Sequence, residues 1–417
     1  MTINNIEHRA NTILEIVRKL AQEKFKARAA KNDAEYRFGK ENFQDLFEAG
    51  LMAPNISRDY GGLGFQRTPE DIFTLWMTIK EIAKADMGMA RCWEGHLNSL
   101  LLLENIANPE QKARWFKGIV ERGELWSTWS GEPLSRAPEE KKHFGTTVEE
   151  TKEGYIINGT KIFCSSAPGA SWGLILVNTA GPGAARHSYS TETLLMLGCD
   201  MSAPSVTLDD SWWHPIGMRS SASYKICFDN TFIPKENLIG VPGQFLLEEW
   251  QTRFTPQYTA TFLGGAEAAY EYAHHYIATQ NKGADPYIQH RIAKMAIHIQ
   301  TAELWLRHVA ELWGTNQVEK AKIAGSSARY LIEQLATETL QHCIHACGAR
   351  ALNKPSPVER ILRDLSFYTR HDNDDHVLAM VGKSLLGQAH DISFFKDLSL
   401  KDKMNGKHQE EVAKTSS

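Results

Sequence analysis

Near its C-terminal end the chain reads PVERILRDLSFYTRHD, with Arg363-Asp364 followed by His371-Asp372. The seven-residue step from Asp364 to His371 is close to two helical turns, so on one continuous helix both point the same way. The first pair has the character of a salt-bridged structural segment. The second sets an imidazole, which gains or loses a proton near neutral pH, beside a carboxylate able to orient it. The chemistry this allows is proton transfer, and either His371 or Asp372 can own it.

Other chemistry-bearing clusters are weaker. Cys343 and Cys347 are four apart on an expected helix and share a face, but no second ligand pair follows at zinc spacing, so a packed helix interior is favoured. In His371-Asp372-Asn373-Asp374-Asp375-His376, the carboxylates suit the N-terminus of a helix over DDHVLAMVGKSLLG, where they favour the dipole. No metal site is assigned. His96, in WEGHLNSLLLLENI, reads by default as a packed or surface histidine. Trp126, Trp129, Trp172, Trp212 and Trp213 fall in or beside one region, and suit packing and a flat aromatic ligand equally. Gly61-Gly62-Leu63-Gly64 and Gly181-Pro182-Gly183 lack a strand–turn–helix setting, so no Rossmann site is expected.

These residues must be positioned by three regions of different texture. Residues 1–125 carry apolar positions at helical spacing, as in FQDLFEAGL, with Asn108-Pro109 before another helix. Residues 126–240 alternate as strands: YIINGTKIFCSSA reads as two strands about an Asn158-Gly159 turn, and WGLILVNTA, ETLLMLG and YKICFDNTFI as further strands of an antiparallel sheet. Residues 241–395 are long periodic stretches suited to a helical bundle, and 396–417 form a polar tail. The fold class is α+β, mostly α.

At 417 residues several domains are expected. A net charge of -4 argues against a nucleic-acid partner, and no apolar run approaches the roughly 20 residues that span a membrane. The N-terminus lacks the pattern of a signal peptide, and six scattered cysteines fit reduced thiols, so a cytoplasmic location is expected.

In order and spacing, Tyr60-Gly61-Gly62-Leu63-Gly64, Asn158-Gly159-Thr160-Lys161, Ile216-Gly217-Met218-Arg219 and Pro357-Val358-Glu359-Arg360 … Arg363-Asp364 resemble the acyl-CoA dehydrogenase superfamily over roughly residues 10–390. The resemblance implies an N-terminal helical domain, a middle sheet domain, a C-terminal four-helix bundle, a flavin between sheet and bundle, and a homotetramer. Two departures stand out. The flavin loop reads Ser130-Gly131-Glu132-Pro133-Leu134-Ser135-Arg136-Ala137-Pro138, keeping Glu-Pro without the family's Gly-Ser-Asp. Where the family carries an Arg-x-x-Phe-Gly for the FAD diphosphate, this chain has Gln280-Asn281-Lys282-Gly283.

The remaining phrases resemble the flavin monooxygenases built on this fold (group D): Asn158 to Ser165, Asp209-Asp210-Ser211-Trp212-Trp213, Asp285-Pro286-Tyr287, and His371-Asp372 leading into Val381-Gly382-Lys383. That likeness implies a two-component enzyme. A separate flavin reductase supplies reduced FMN or FAD, oxygen adds to give a flavin hydroperoxide, and a small aromatic heterocycle is oxygenated, with indole-type substrates favoured over sulfur heterocycles. It implies catalytic roles for His371 and Ser165 with Asp372 in support. It implies flavin contacts from Thr128, Ser130, Phe163, Ser165, Lys282 and Gly348, and a substrate pocket of His96, Trp129, Trp213 and Tyr368. The rivals are an acyl-CoA dehydrogenase with Asp372 as base, an amine N-hydroxylase, and a flavin-binding scaffold without turnover.

Overall fold

The computed structural model describes residues 3–65, 67–133, 146–179 and 193–390. Leu134 to Pro138 of the flavin loop, Gly181-Pro182-Gly183 and the polar tail lie outside the described residues.

The N-terminal region is helical: α1 (Ile3–Leu20), a π-type turn (Ala21–Phe25), α2 (Lys26–Ala34), α3 (Lys40–Glu48), α4 (Pro69–Ala85), α5 (Met87–Ile106) and α6 (Pro109–Arg122). Local chemistry sets several starts. Thr68 and Asp71 form a reciprocal capping box ahead of α4, and Asn108 and Gln111 do the same for α6, each with proline at the first turn. Gly123 closes α6 with φ 66°, a left-handed conformation that glycine adopts without a Cβ penalty. The central α5 is buried along most of its length, with Glu94, His96, Asn98 and Ser99 among its buried residues.

Among the described residues seven strands follow: β1 (Trp126–Trp129), β2 (Thr147–Glu150), β3 (Gly154–Cys164), β4 (Trp172–Asn178), β5 (Leu194–Asp200), β6 (Val206–Asp209) and β7 (Tyr224–Pro234). Their order is β1-β4-β2-β3-β7-β6, with β5 also paired to β4. Two expectations change. The sheet is mixed, because β1 and β2 each run parallel to β4. Asn158-Gly159 is not a hairpin turn but the middle of one eleven-residue strand. Between Ile157 and Gly159 the partner β7 steps from Thr231 to Phe228, so β7 carries an extra residue there. Asn230, at φ 48°, takes up that bulge, donating its N–H to the Asn158 side chain at 2.8 Å. In β4, Leu174 and Leu176 face the helical core, while Ile175 and Val177 face a second cluster with Leu195, Leu197 and Ile226. A strand buried on both faces loses its polar alternation.

The C-terminal region comprises a single turn α7 (Gln244–Leu247) and the long helices α8 (Gln251–Thr279), α9 (Pro286–Gly314) and α10 (Val318–Cys347), then α11 (Val358–Tyr368) and α12 (Asp374–Leu385). Asp285 caps α9 by accepting from the N–H groups of Tyr287 and Ile288. Cys343 and Cys347 are buried in the packed side of α10. Among the described residues no helix is long and apolar enough to cross a membrane.

The Ile216 to Arg219 segment docks directly on α11. A Cβ on Gly217 would lie 2.1 Å from the Arg363 carbonyl oxygen, and Asp364 accepts the Met218 N–H. Gly217→Ala is therefore expected to destabilise the fold by about 1–3 kcal/mol through overpacking against backbone. Urea denaturation followed by tryptophan fluorescence measures this, and an unchanged midpoint would contradict that docking.

Candidate active site

The helix bearing Arg363 and Asp364 does not continue to His371. It ends at Tyr368, passes through one 3-10 turn (Thr369–His371), and becomes extended at Asp372. The expectation of one continuous helix is thus corrected, and the cause lies on α10. Arg329, fully buried, donates to the Thr369 carbonyl at 3.0 Å, pairs with Glu333 at 2.8 Å and with Asp374, and lies 3.5 Å from Asp372 Oδ2. A cation drawing on one carbonyl and three carboxylates folds the chain around itself. Arg363 pairs with Asp33 and Glu359 rather than with its neighbour Asp364.

This turn defines the protonation geometry. His371 is 42% exposed on its side chain, and its Nδ1 sits 3.0 Å from Asp372 Oδ1. The Tyr258 hydroxyl donates to Asp372 Oδ2. Burial alone would raise the Asp372 pKa. The His371 charge and hydrogen bond, the Tyr258 hydroxyl and Arg329 outweigh it and hold the carboxyl below its ordinary value. Asp372 is therefore an anion that accepts the Nδ1 proton and leaves Nε2 as the working nitrogen. The expected helix N-terminus after it is present: Asn373 caps α12 by accepting from His376 N–H.

Ser165 lies just beyond β3, buried at 3% exposure. Its carbonyl accepts from Ser127 Oγ and from Trp129 Nε1, both at 3.0 Å. Its hydroxyl meets Ser223 Oγ at 2.8 Å. The backbone here is strained. Among the described residues nine non-glycine residues have positive φ, and four of them flank this point: Phe163 (55°), Ser166 (67°), Met218 (57°) and Ala222 (42°). Each such conformation costs on the order of 1–3 kcal/mol and persists only where surrounding structure imposes it.

Aromatic rings form two groups, one from the strand to α11 and one around the turn. Phe163, 51% exposed, meets Trp212 edge-on at 4.8 Å and Trp213 at 6.3 Å between centroids. Trp213 in turn meets Phe367 of α11 at 5.9 Å. The next residue, Tyr368, lies 5.9 Å from the His371 ring, and Tyr258 lies 5.1 Å from it on another side. The five tryptophans thus divide. Trp126 and Trp172 stack in the core, Trp129 stands behind Ser165, and Trp212 and Trp213 form a wall with Phe163.

Tyr368 is buried and donates to Glu94 at 2.6 Å, while Arg91 reaches the other Glu94 oxygen at 2.9 Å. Burial pushes up the pKa of both Glu94 and Tyr368. Arg329, Glu333, Tyr258, Glu94 and Ser223 were not singled out from sequence. The available signal was a charged residue in phase with apolar positions: Arg329 shares the buried side of α10 with Gly325, Ile332 and Ala336.

His96 departs from expectation. It has no exposed surface, its Nε2 meets the Met52 carbonyl at 2.8 Å, and its Nδ1 accepts from Trp126 N–H at 3.1 Å. Burial lowers its pKa to about 4. With both nitrogens engaged it offers no hydrogen-bonding atom to a ligand, and the pocket role gives way to tying the Met52 loop to β1. Thr128 is half-buried and shares its hydroxyl with Ser99 at 2.9 Å. The Ser130 carbonyl lies 3.5 Å from Lys161 Nζ, itself buried in an ion pair with Glu132.

Lys282 and Gly348 are not brought to Ser165. Lys282 follows the end of α8, and Gly348, at φ 72°, closes α10. Helical rise puts Thr279 about 30 Å from Tyr258 along α8, and Cys347 about 27 Å from Arg329 along α10. Both residues thus sit at the far end of the bundle within one protomer.

Asp364, fully buried beneath this site, has its pKa pushed up to about 7 by burial, with Arg360 opposing and Asp86 and Asp33 reinforcing the shift. A raised folded pKa means that the native state binds more protons than the unfolded one between about pH 4 and 7. Stability from this group is full below the unfolded pKa and falls as pH rises to 7. Asp364→Asn keeps an acceptor for Met218 N–H and is expected to flatten that fall by up to about 4 kcal/mol. Parallel urea titrations at pH 4.5 and 7 measure the difference, and equal slopes in both proteins would refute it.

Two descriptions of one family match the chain: acyl-CoA dehydrogenase, N-terminal domain, over residues 7–123, and acyl-CoA dehydrogenase, C-terminal domain, over residues 255–375. The chain belongs to the acyl-CoA dehydrogenase family. It is 25% identical over 418 aligned positions to dibenzothiophene monooxygenase of Rhodococcus qingshengii, covering 92% of this chain and 95% of the relative. It is 26% identical to the mitochondrial short/branched chain specific acyl-CoA dehydrogenase of Bos taurus, covering 87% and 82%. Among solved structures, FMN-bound TdsC from Paenibacillus sp. A11-2 shares the fold at a TM-score of 0.81 and 24% identity, covering 92% and 99%. Methanesulfinate monooxygenase MsuC from Pseudomonas fluorescens shares it at 0.79 and 22%, with the same coverage.

Proposed function

We propose that this chain is the oxygenase of a two-component flavin-dependent monooxygenase. It takes reduced flavin, FMN or FAD, from a separate reductase and oxygenates a small aromatic heterocycle. One observation carries the reading: Phe163 and Ser166, both at positive φ, bracket the buried Ser165 beside the Phe163, Trp212 and Trp213 rings, and Trp213 packs on α11, the helix that ends at the His371 turn. An exposed aromatic edge beside a buried hydroxyl suits a flat conjugated ring with polar atoms on one side. TdsC has been solved with FMN and with indole together, and relatives at 25% identity are dibenzothiophene monooxygenases.

Reduced flavin would supply the electrons that activate oxygen. The chain's own part is positioning and proton control. Ser165 presents one hydroxyl to the flavin edge, while Phe163 and Trp213 exclude water from it. His371 moves a proton at Nε2, with its tautomer fixed by Asp372. Tyr368 contributes a buried ring beside His371. An indole-type substrate suits the tryptophan-rich wall, and we read the working form as a cytoplasmic homotetramer.

The acyl-CoA dehydrogenase reading needs Asp372 as base. Its Oδ1 accepts from His371, and its Oδ2 from Tyr258 beside Arg329, so neither oxygen faces a substrate unencumbered. A depressed pKa also weakens it as a base.

The deciding assay combines the purified chain with a flavin reductase, NADH, FMN or FAD, and oxygen, offering indole and dibenzothiophene side by side. Oxygen-dependent product is expected. No product from either, together with dehydrogenation of an acyl-CoA, would sink the proposal. Ser165→Ala is expected to release several-fold more hydrogen peroxide per NADH consumed; equal release would remove Ser165 from this role.

A further inference from the structure

The Ser165 hydroxyl is one end of a buried chain. Its Oγ meets Ser223 Oγ at 2.8 Å, and Ser223 Oγ meets Ser221 Oγ at 2.7 Å. The three residues are between 1% and 4% exposed, so bulk water does not serve them. Each hydroxyl has one proton to donate. Two protons fill the two links, which leaves the third on Ser221, on Ser165 or, where both ends donate to Ser223, on Ser223, whose hydroxyl has no third partner among the described residues.

Which hydroxyl keeps it is settled by what each one faces. If the chain points inward, the last proton belongs to Ser221. Among the described residues the Ser221 hydroxyl has Ser223 as its hydrogen-bond partner and no second acceptor. A buried donor left without an acceptor costs roughly 1–3 kcal/mol. If the chain points outward, Ser221 donates to Ser223 and Ser223 to Ser165, and the remaining proton lies on Ser165, where a bound flavin would supply the acceptor. The Ser221 end is held in place. Its carbonyl accepts from Ser166 N–H at 2.9 Å and from Cys92 Sγ at 3.3 Å, and the adjacent Ser220 hydroxyl donates to Asp86 at 2.6 Å. A Cβ on Gly88 would lie 2.8 Å from Ser221 N, so α5 packs tightly on this loop.

We infer that Ser223 and Ser221 are positioning residues that make Ser165 a hydrogen-bond donor, so that the site selects a ligand with an acceptor atom at that point. This rests on the flavin reading proposed above. It fixes the direction of a hydrogen bond that the Ser165 residue type alone leaves open.

Equilibrium binding of oxidised FMN, followed by flavin fluorescence, tests it apart from turnover. Ser223→Ala is expected to weaken FMN binding about five- to tenfold, the size of one net hydrogen bond. Ser223→Thr, which restores the hydroxyl, is expected to recover most of that, and Ser221→Ala to show a smaller loss in the same direction. In a Ser165→Ala background, Ser223→Ala should add no further loss, because it acts through Ser165. Wild-type affinity in Ser223→Ala, or the same loss in both backgrounds, would overturn the inference while leaving the flavin reading intact. A wild-type chain that binds neither FMN nor FAD would overturn both. If Ser223→Ala fails to fold, the Ser221→Ala pair of backgrounds decides alone: a loss there that vanishes without Ser165 supports the chain, and an unchanged affinity refutes it.

Discussion

Arg329→Leu is expected to destabilise the protein by about 3–5 kcal/mol, the cost of removing one partner from a buried ion pair. The side chain it replaces has no exposed surface and faces Glu333, Asp372 and Asp374, which are left as neighbouring carboxylates. Leucine fills part of the volume but answers none of the charge, and the Thr369 carbonyl loses its donor. Equilibrium urea unfolding at pH 7 measures the loss. The variant should also regain stability as pH falls and those carboxylates take up protons. A loss below about 1 kcal/mol, or one unchanged by pH, would mean that Arg329 does not hold the turn.

His371→Ala carries the largest expected effect on activity: oxygenated product formation lower by 10²- to 10⁴-fold, the range for loss of a general acid–base group. FMN affinity is expected to stay within about threefold, because on the proposed mechanism the half-exposed imidazole carries a proton and is no part of the Phe163, Trp212 and Trp213 wall. Steady-state product yield with a reductase, set beside flavin fluorescence titration, separates the two. Undiminished turnover would exclude His371 from the mechanism. Equal loss of binding and turnover would assign it to the pocket wall instead.

The sequence disclosed what depends on near neighbours. Asn108-Pro109 announces a helix start because the bonds between Asn108 and Gln111 close within four residues. Long periodic stretches gave the bundle for the same reason. Two misreadings have distant causes. Asn158-Gly159 carries turn chemistry, yet the extra residue that accommodates it sits about seventy positions later on β7. His371 seemed to continue α11, yet the carbonyl that breaks the helix is drawn away by Arg329 on α10. At the site, His371 and Asp372 stood out by residue type, and Ser165 by resemblance alone. Glu94 and Arg329 did not, because a charged residue inside a helical sequence reads as a solvated face until its partners are known. His96 keeps the packed character its residue type suggested by default: a carbonyl and an amide from two other elements occupy both nitrogens, and the pocket role came with the resemblance.

The Phe163 wall differs from everything behind it in one respect. Ser165, Asp372 and Tyr368 are each pinned by hydrogen bonds from other elements, whereas the Phe163 ring is half-exposed and touches its neighbours through aromatic edges. Substitution there disturbs little of the folded core, while substitution behind it disturbs the scaffold. A change to the outer rings is therefore separable from the hydrogen-bonded residues behind them, and on the proposed reading chemistry and substrate range can evolve at different rates within a single site.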